Sequence, residues 1–270
     1  MAKRHIENAN WRDITAVPWE QTALNGRVCH RKLTDDPLLG SYTGIIEVPN
    51  GFDSKKVLAC TSEFQLFVLD GNLIFDDVKM HSGCFCYYHT DSPHGRWRSA
   101  GDTRFLIICE TTPIFYVSKT TTIHERSVRM LDSWKLEWVN PLDVSDPSNP
   151  YRQGIMVKVL RQDPETGAST HLAGLLPGWF ANGLEKHPIF EENYCLSGEV
   201  NIATVDGKEG YTMTEGSYLC RPPGIPHGPI SSKNGNVNFC YTPGKLGIDY
   251  QEIEDNDHLI HGHLRNYPWR

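Results

Sequence analysis

The residues best able to do chemistry sit in two short segments of the second half of the chain. Residues 185–198 read Glu-Lys-His-Pro-Ile-Phe-Glu-Glu-Asn-Tyr-Cys-Leu-Ser-Gly, and residues 216–227 read Gly-Ser-Tyr-Leu-Cys-Arg-Pro-Pro-Gly-Ile-Pro-His. Imidazole and carboxylate are the groups that hold divalent metals or carry protons. Side chains alternate faces along a strand, so Glu185 and His187 should point the same way. Glu191 follows His187 either directly or across a hairpin turn, and Gly198 closes the next turn. Pro222, Pro223 and Pro226 with Gly224 make a stiff, tight turn that would fix His227 in place. Taken singly, a His beside a Pro-rich turn is usually structural, and Glu191-Glu192 is usually a solvated pair. Together, at this spacing, they favour a metal site.

Such groups must be carried by a scaffold, and the sequence describes one that repeats. Gly26–Pro37 and Gly154–Pro164 are both strand-like runs from a Gly to an Asp-Pro turn. Gly44-Ile45-Ile46, then Pro49, matches Gly174-Leu175-Leu176, then Pro177. Phe67–Leu73 matches Tyr194–Val200, and Ser92-Pro93-His94-Gly95 matches Ile225-Pro226-His227-Gly228. The offset runs only from 127 (71 to 198) to 133 (94 to 227). Four matches in one order argue for duplicated domains. Within each copy, short runs of Val, Ile, Phe and Tyr are broken by Gly, Asp and Asn turns about every eight to twelve residues, the pattern of a sandwich or barrel. Helical periodicity is confined to residues 125–136 and the acidic stretch at 250–254.

The first segment resembles cupin motif 1, in which two histidines one residue apart are followed by a Glu four residues on and a Gly seven further. Here Glu185 stands where the first His is usual. The second segment resembles cupin motif 2, with Gly216, Pro222, Gly224 and His227 matching position for position. The run Arg221–Pro229 is most similar to cupins related to the C-terminal domain of the ChrR anti-sigma factor. The resemblance covers the C-terminal half and reaches the N-terminal half through the repeat.

The resemblance implies an all-β chain of two tandem cupin, jelly-roll-type β-barrels. The expected division is a degenerate barrel over 1–120, a connector over 121–137 and a metal-binding barrel with its tail over 138–270. One divalent metal would be held by His187 and His227 through imidazole nitrogen and by Glu191 through carboxylate oxygen. Glu192 is the alternative to Glu191, although the family spacing favours Glu191. Glu185 is open between ligand, proton-transferring catalytic carboxylate and solvent-facing side chain. Two His and one carboxylate are the ligand set of non-haem Fe(II) oxygenases, and Mn, Ni, Co or Zn would also fit. A second carboxylate would favour the harder Mn(II) or Fe(II). The implied function is an Fe(II) dioxygenase acting on a small diketone or hydroxylated aromatic ketone. The alternatives are a metal-dependent lyase, hydrolase or isomerase that needs no O2, and a non-catalytic sensor that binds a small molecule.

Aligned on Gly71 and Gly198, the first copy offers Leu58, Cys60 and Phe64 where the second has Glu185, His187 and Glu191. Only His94 persists, opposite His227, so the first barrel reads as structural and a Cys60/His94 site as improbable. Cys84 and Cys86 read as core. Trp179, Phe180, Tyr194 and Tyr241 are candidates to line a pocket, and His258, His261 and His263 crowd the tail.

Composition narrows the remaining classes. The chain of 270 residues carries 26 basic and 33 acidic side chains, and no Lys/Arg run forms a phosphate-binding stripe, so nucleic acid is not an expected partner. No apolar stretch approaches the roughly 20 residues of a membrane helix, and no apolar region follows the basic N-terminal residues. The eight cysteines, without a Cys-x-x-Cys pair, read as reduced core residues of a cytoplasmic protein. A homodimer and a small-molecule substrate complete the expectation.

Overall fold

In the computed structural model, the described residues are 3–75, 77–140, 154–181, 183–203 and 210–252. Almost every element is a strand, because alternating apolar residues between Gly and Asp turns favour half-buried sheet over helix. The strands are β1 (Ile6–Asn10), β2 (Val17–Pro18), β3 (Cys29–Asp35), β4 (Tyr42–Val48), β5 (Asp53–Cys60), β6 (Phe64–Asp70), β7 (Asn72–Phe75) and β8 (Val78–His81). Next come β9 (Cys84–Tyr88), β10 (Gly95–Ser99), β11 (Thr103–Cys109), β12 (Phe115–Val117) and β13 (Val128–Asp132). The second half holds β14 (Ile155–Gln162), β15 (Ser169–Leu175), β16 (Trp179–Ala181), β17 (Gly183–Lys186) and β18 (Glu191–Ile202). It ends with β19 (Tyr211–Thr214), β20 (Ser217–Arg221), β21 (Ile230–Ser232), β22 (Asn236–Thr242) and β23 (Asp249–Glu252). Among the described residues, no helix is long and apolar enough to cross a membrane.

The chain divides into two units. The first comprises Lys3 and Trp11–Leu136, and the second comprises Arg4–Asn10 with the chain from Glu137 onward. In the first, one antiparallel sheet runs β13-β9-β6-β11-β4-β3-β2 and another runs β12-β5-β10-β7-β8. Alternate residues of both sheets, such as Phe64, Leu66 and Val68 of β6 and Phe75 and Trp97 of the other sheet, meet in one core cluster. In the second, the principal sheet runs β1-β20-β18-β22-β15-β14, with β19 and β21 on β18, β16 on β21, and a separate β17–β23 pair. Each unit is a jelly-roll barrel, as the repeat and the cupin motifs imply.

The paired glycines of the repeat serve the same purpose in both barrels. Gly71 has φ +80° and Gly198 φ +75°, and a Cβ at either would lie within 2.3 Å of a backbone oxygen. Only glycine combines that backbone conformation with so close an approach.

Two segments differ from expectation. Residues 125–136 are not a helix. Val128–Asp132 forms β13 along the edge of β9, and a single 3-10 turn, Ser133–Lys135, follows. Pairing with a sheet edge outweighs a short stretch of weak helical pattern. The acidic stretch likewise enters β23, which pairs with β17, as far as Glu252. The expected connector over 121–137 therefore contains a strand of the first unit. The expected first domain, 1–120, gives up Arg4–Asn10, because β1 adds to β20 with Ile6 opposite Cys220 and Asn10 opposite Ser217.

Candidate metal centre

Glu185, the third residue of β17, lies directly opposite His227 in an antiparallel bridge. The amide of each donates to the carbonyl of the other at 2.9 Å. Residues opposed in this way present their side chains on one face. Gly228 makes the approach possible. Its φ is +119°, and a Cβ there would sit 2.2 Å from the Gly183 carbonyl oxygen. The Pro-rich turn is tied to the same place, since the Gly224 amide donates to the His187 carbonyl at 2.8 Å. Glu191 opens β18 opposite Arg221 at the end of β20.

These pairings bring all four sequence-identified side chains together. His227 Nε2 lies 3.0 Å from Glu185 Oε1. Glu191 Oε2 lies 3.6 Å from His187 Nε2 and 3.8 Å from His227 Nε2. Candidate ligand atoms of Glu185, His187 and His227 all fall within 4.8 Å of one another, and all three residues are buried. Both rings are fixed from behind: His187 Nδ1–H donates to the Gly247 carbonyl at 2.9 Å and His227 Nδ1–H to the Ile225 carbonyl at 3.1 Å. With its Nδ1–H so engaged, each ring in its neutral form would turn a bare Nε2 lone pair inward, the tautomer that metal-ligating histidines adopt. His187 Nε2 is buried with no hydrogen-bond partner among the described residues. His227 Nε2 faces Glu185 acceptor to acceptor, which a proton or a cation must bridge. A metal with ligand bonds of about 2.1 Å spaces adjacent ligand atoms roughly 3.0–3.4 Å apart, so the four groups could close on one ion with small shifts.

The choice between Glu191 and Glu192 follows from strand alternation. Glu191 lines the cavity described below, whereas Glu192 Oε2 accepts from the Tyr218 hydroxyl at 2.6 Å and is buried on the other side of β18. Burial alone would raise the Glu191 carboxyl, but the positive charge of His227 and His187 in their protonated forms, with that of Arg221, outweighs it and holds it down to about 2. Arg221, 3 % exposed, lies 3.4 Å from Glu191 Oε2 through Nη1 and donates from Nη2 to Glu7 at 3.1 Å. Tyr211 hydroxyl bonds to Glu7 and to Arg221 as well. A strand from the start of the chain thus supports a cation beside the centre.

Above these groups lies a cavity of about 650 Å³. Ile155, Val157, Val159, Val200, Ile202 and Met213 give it mostly apolar walls, and His171, Asn193, Asn238 and Arg221 add polar points. The sequence assigns no role to His171 or to Arg221, which stands there only as part of the Pro-rich run. The signal for His171 was the alternation Ser169, His171, Ala173, Leu175, all of which face the cavity. Burial holds the His171 ring below its ordinary pKa, against the opposing pull of Glu191. Of the four aromatic candidates, Trp179 lines the cavity. Tyr194 and Tyr241 are core residues and Phe180 is not part of the lining, because they occupy the other register of their strands. His258, His261 and His263 lie outside the described residues.

The first barrel carries the same backbone device without the chemistry. His94 N–H donates to the Leu58 carbonyl at 2.9 Å, just as His227 does to Glu185. Leu58, Cys60 and Phe64 all join the apolar core. The His94 ring is enclosed by Phe64, Phe75, Tyr88, Trp97 and Phe115, with centroids 5.1–5.6 Å away. Trp97 Nε1–H donates to His94 Nδ1 at 2.8 Å, and burial pushes the ring down to about 3. Aromatic side chains fill the space that the second barrel leaves open.

A family model described as a domain of unknown function, DUF4437, matches residues 4–249. The chain belongs to the DUF4437 family. No curated protein matches it. Among solved structures, this DUF4437 chain is similar to a Nostoc punctiforme protein provisionally named a dioxygenase, at 15% identity and TM-score 0.79, covering 94% of this chain and 92% of that one. It is similar to Bacillus subtilis oxalate decarboxylase, whose described centres are Mn(II), at 10% identity and TM-score 0.60, covering 98% and 85%. It is also similar to a cupin 2 conserved barrel domain protein from Leptotrichia buccalis, at 12% identity and TM-score 0.55, covering 89% and 97%. At such identities the likeness establishes the cupin fold of the DUF4437 chain.

Proposed function

We propose that the second barrel binds one divalent metal through His187, His227, Glu191 and Glu185 and acts as an enzyme on a small oxygenated organic molecule. The observation that carries this is His187 Nε2, buried without a hydrogen-bond partner among the described residues, beside the pair of His227 and Glu185. The finer reading is an Fe(II) dioxygenase for a small diketone or hydroxylated aromatic ketone, with Mn, Ni, Co or Zn as alternative occupants. Bound there, the metal would supply a Lewis acid for substrate oxygens and, as Fe(II), one-electron chemistry towards O2.

The chain's own residues supply position and environment. The two Nδ1–H bonds hold both rings at fixed orientation. Arg221 keeps Glu191 ionised in a buried setting. The apolar walls exclude water and orient the body of the substrate. Glu185 Oε1, at the cavity floor, is placed to hold or accept a proton. That placement favours a second reading, in which the enzyme is a lyase, hydrolase or isomerase that needs no O2 and Glu185 is its base.

The deciding experiment is oxygen uptake by the full chain loaded anaerobically with Fe(II), across a panel of diketones and hydroxylated aromatic ketones. The dioxygenase reading expects uptake that is lost in His187→Ala. Full turnover without O2 would sink it in favour of the second reading, where Glu185→Gln abolishes turnover while metal stays bound. A ligand that raises the melting temperature but is never turned over would instead make the barrel a binding module. The working form in this reading is a homodimer, checked by sedimentation velocity.

A further inference from the structure

We propose that the first barrel carries a zinc site of its own, formed by His81, Cys84 and Asp132. Candidate ligand atoms of the three all lie within 4.8 Å of one another. The backbone explains the convergence. β8 ends at His81 and β9 begins at Cys84, so the Ser82-Gly83 turn folds these side chains together. β13 runs beside β9 with Asp132 directly opposite Cys84.

The details match those that support metal ligands. His81 Nδ1–H donates to the Ser82 carbonyl at 2.8 Å, which leaves Nε2 with its lone pair free. That nitrogen lies 3.4 Å from Asp132 Oδ2. The other oxygen, Oδ1, accepts from the Trp134 amide at 3.0 Å, so the carboxylate is held in one orientation. The Ser82 carbonyl also receives the Trp134 indole N–H at 2.7 Å, fixing the turn from the far side. A tetrahedral ion with bonds of about 2.0–2.3 Å spaces its ligand atoms roughly 3.3–3.8 Å apart, and the His81–Asp132 separation falls in that range.

Thiolate, imidazole and carboxylate together suit Zn(II) better than a harder ion. His81 is exposed, so water would complete the tetrahedron. Cys84 would bind as thiolate, its proton passing to the buffer. Lys135 Nζ stands 3.6 Å from Asp132 Oδ2 and would be displaced, which its largely exposed side chain permits. By joining His81 and Cys84 to Asp132, the ion would clip the β8–β9 turn to β13.

The test uses the full chain with its central site disabled by His187→Ala and His227→Ala, so that failure of the central assignment leaves this one standing. After exposure to Zn(II) and dialysis, elemental analysis should find about one zinc per chain. Adding His81→Ala and Asp132→Asn should remove it. Cobalt(II) loading should give a thiolate charge-transfer band in the near ultraviolet that Cys84→Ser abolishes. Zinc content that is unchanged by the triad substitutions would overturn the proposal, as would a cobalt band that survives Cys84→Ser.

Discussion

Glu185 and His227 are joined twice, by reciprocal backbone hydrogen bonds of 2.9 Å and by side chains that meet at 3.0 Å. The first junction enforces the second. The bridge between β17 and the Pro-rich turn sets the two backbones opposite each other, so that both side chains start from one face.

The bridge depends on Gly228. In Gly228→Ala the new Cβ would meet the Gly183 carbonyl at 2.2 Å and could not relieve the contact, because it lies against backbone. Positive φ adds strain of about 1–3 kcal/mol. Titration with Mn(II) should show affinity lowered at least about tenfold, or about 1.4 kcal/mol. Unchanged affinity would mean that the bridge does not set the centre.

Arg221 is buried between Glu191 and Glu7. Arg221→Met leaves one carboxylate buried without its cation, and removal of one partner from such a pair costs about 3–5 kcal/mol. Urea unfolding should show the loss. A fall below about 1 kcal/mol would place the pair among weak surface ion pairs.

His94 makes the first barrel sensitive to acid. Its folded pKa of about 3 lies below the ordinary 6.5. The unfolded chain therefore takes up the proton first. Stability is fully present above pH 6.5 and drains as pH falls from 6.5 towards 3, at roughly 1.4 kcal/mol per unit. Urea midpoints measured between pH 7 and pH 5 should fall in the wild type, and His94→Asn should flatten that slope.

Ala173 faces the cavity from the middle of β15. Ala173→Phe would fill space there while leaving all four candidate ligands in the chain. Turnover should fall at least about tenfold while metal content is unchanged, as expected when positioning is lost and the reactive centre is kept. Equal loss of metal would show that the strand had shifted.

Local patterns made much of this legible. The Glu185/His187 alternation, the Gly224 turn and the repeat between Leu58 and Glu185 all depend on neighbours within a few residues or on direct comparison of two copies. What escaped depends on pairing at a distance. Glu191 and Glu192 could be ordered from the residues only by analogy, because the face each occupies is set by the register of β18 against β20 and β22. Arg221 sat in plain view within the Pro-rich segment, but its importance comes from Glu7, 214 residues away. The strand at Val128–Asp132 looked helical because its pairing partner, β9, is not nearby in sequence.

The path of β1 has a consequence for how the protein comes to be made. Arg4–Asn10 belongs to the second unit, yet Trp11–Leu136 builds the first, so the first barrel is threaded as an insertion within the second. During synthesis the opening strand emerges long before β20 exists to receive it. The first barrel can condense on its own while that strand waits. The sheet that supports Arg221 is completed only when β1 meets β20, some two hundred residues later in the chain, a closure of high contact order that should be among the last and slowest events in folding.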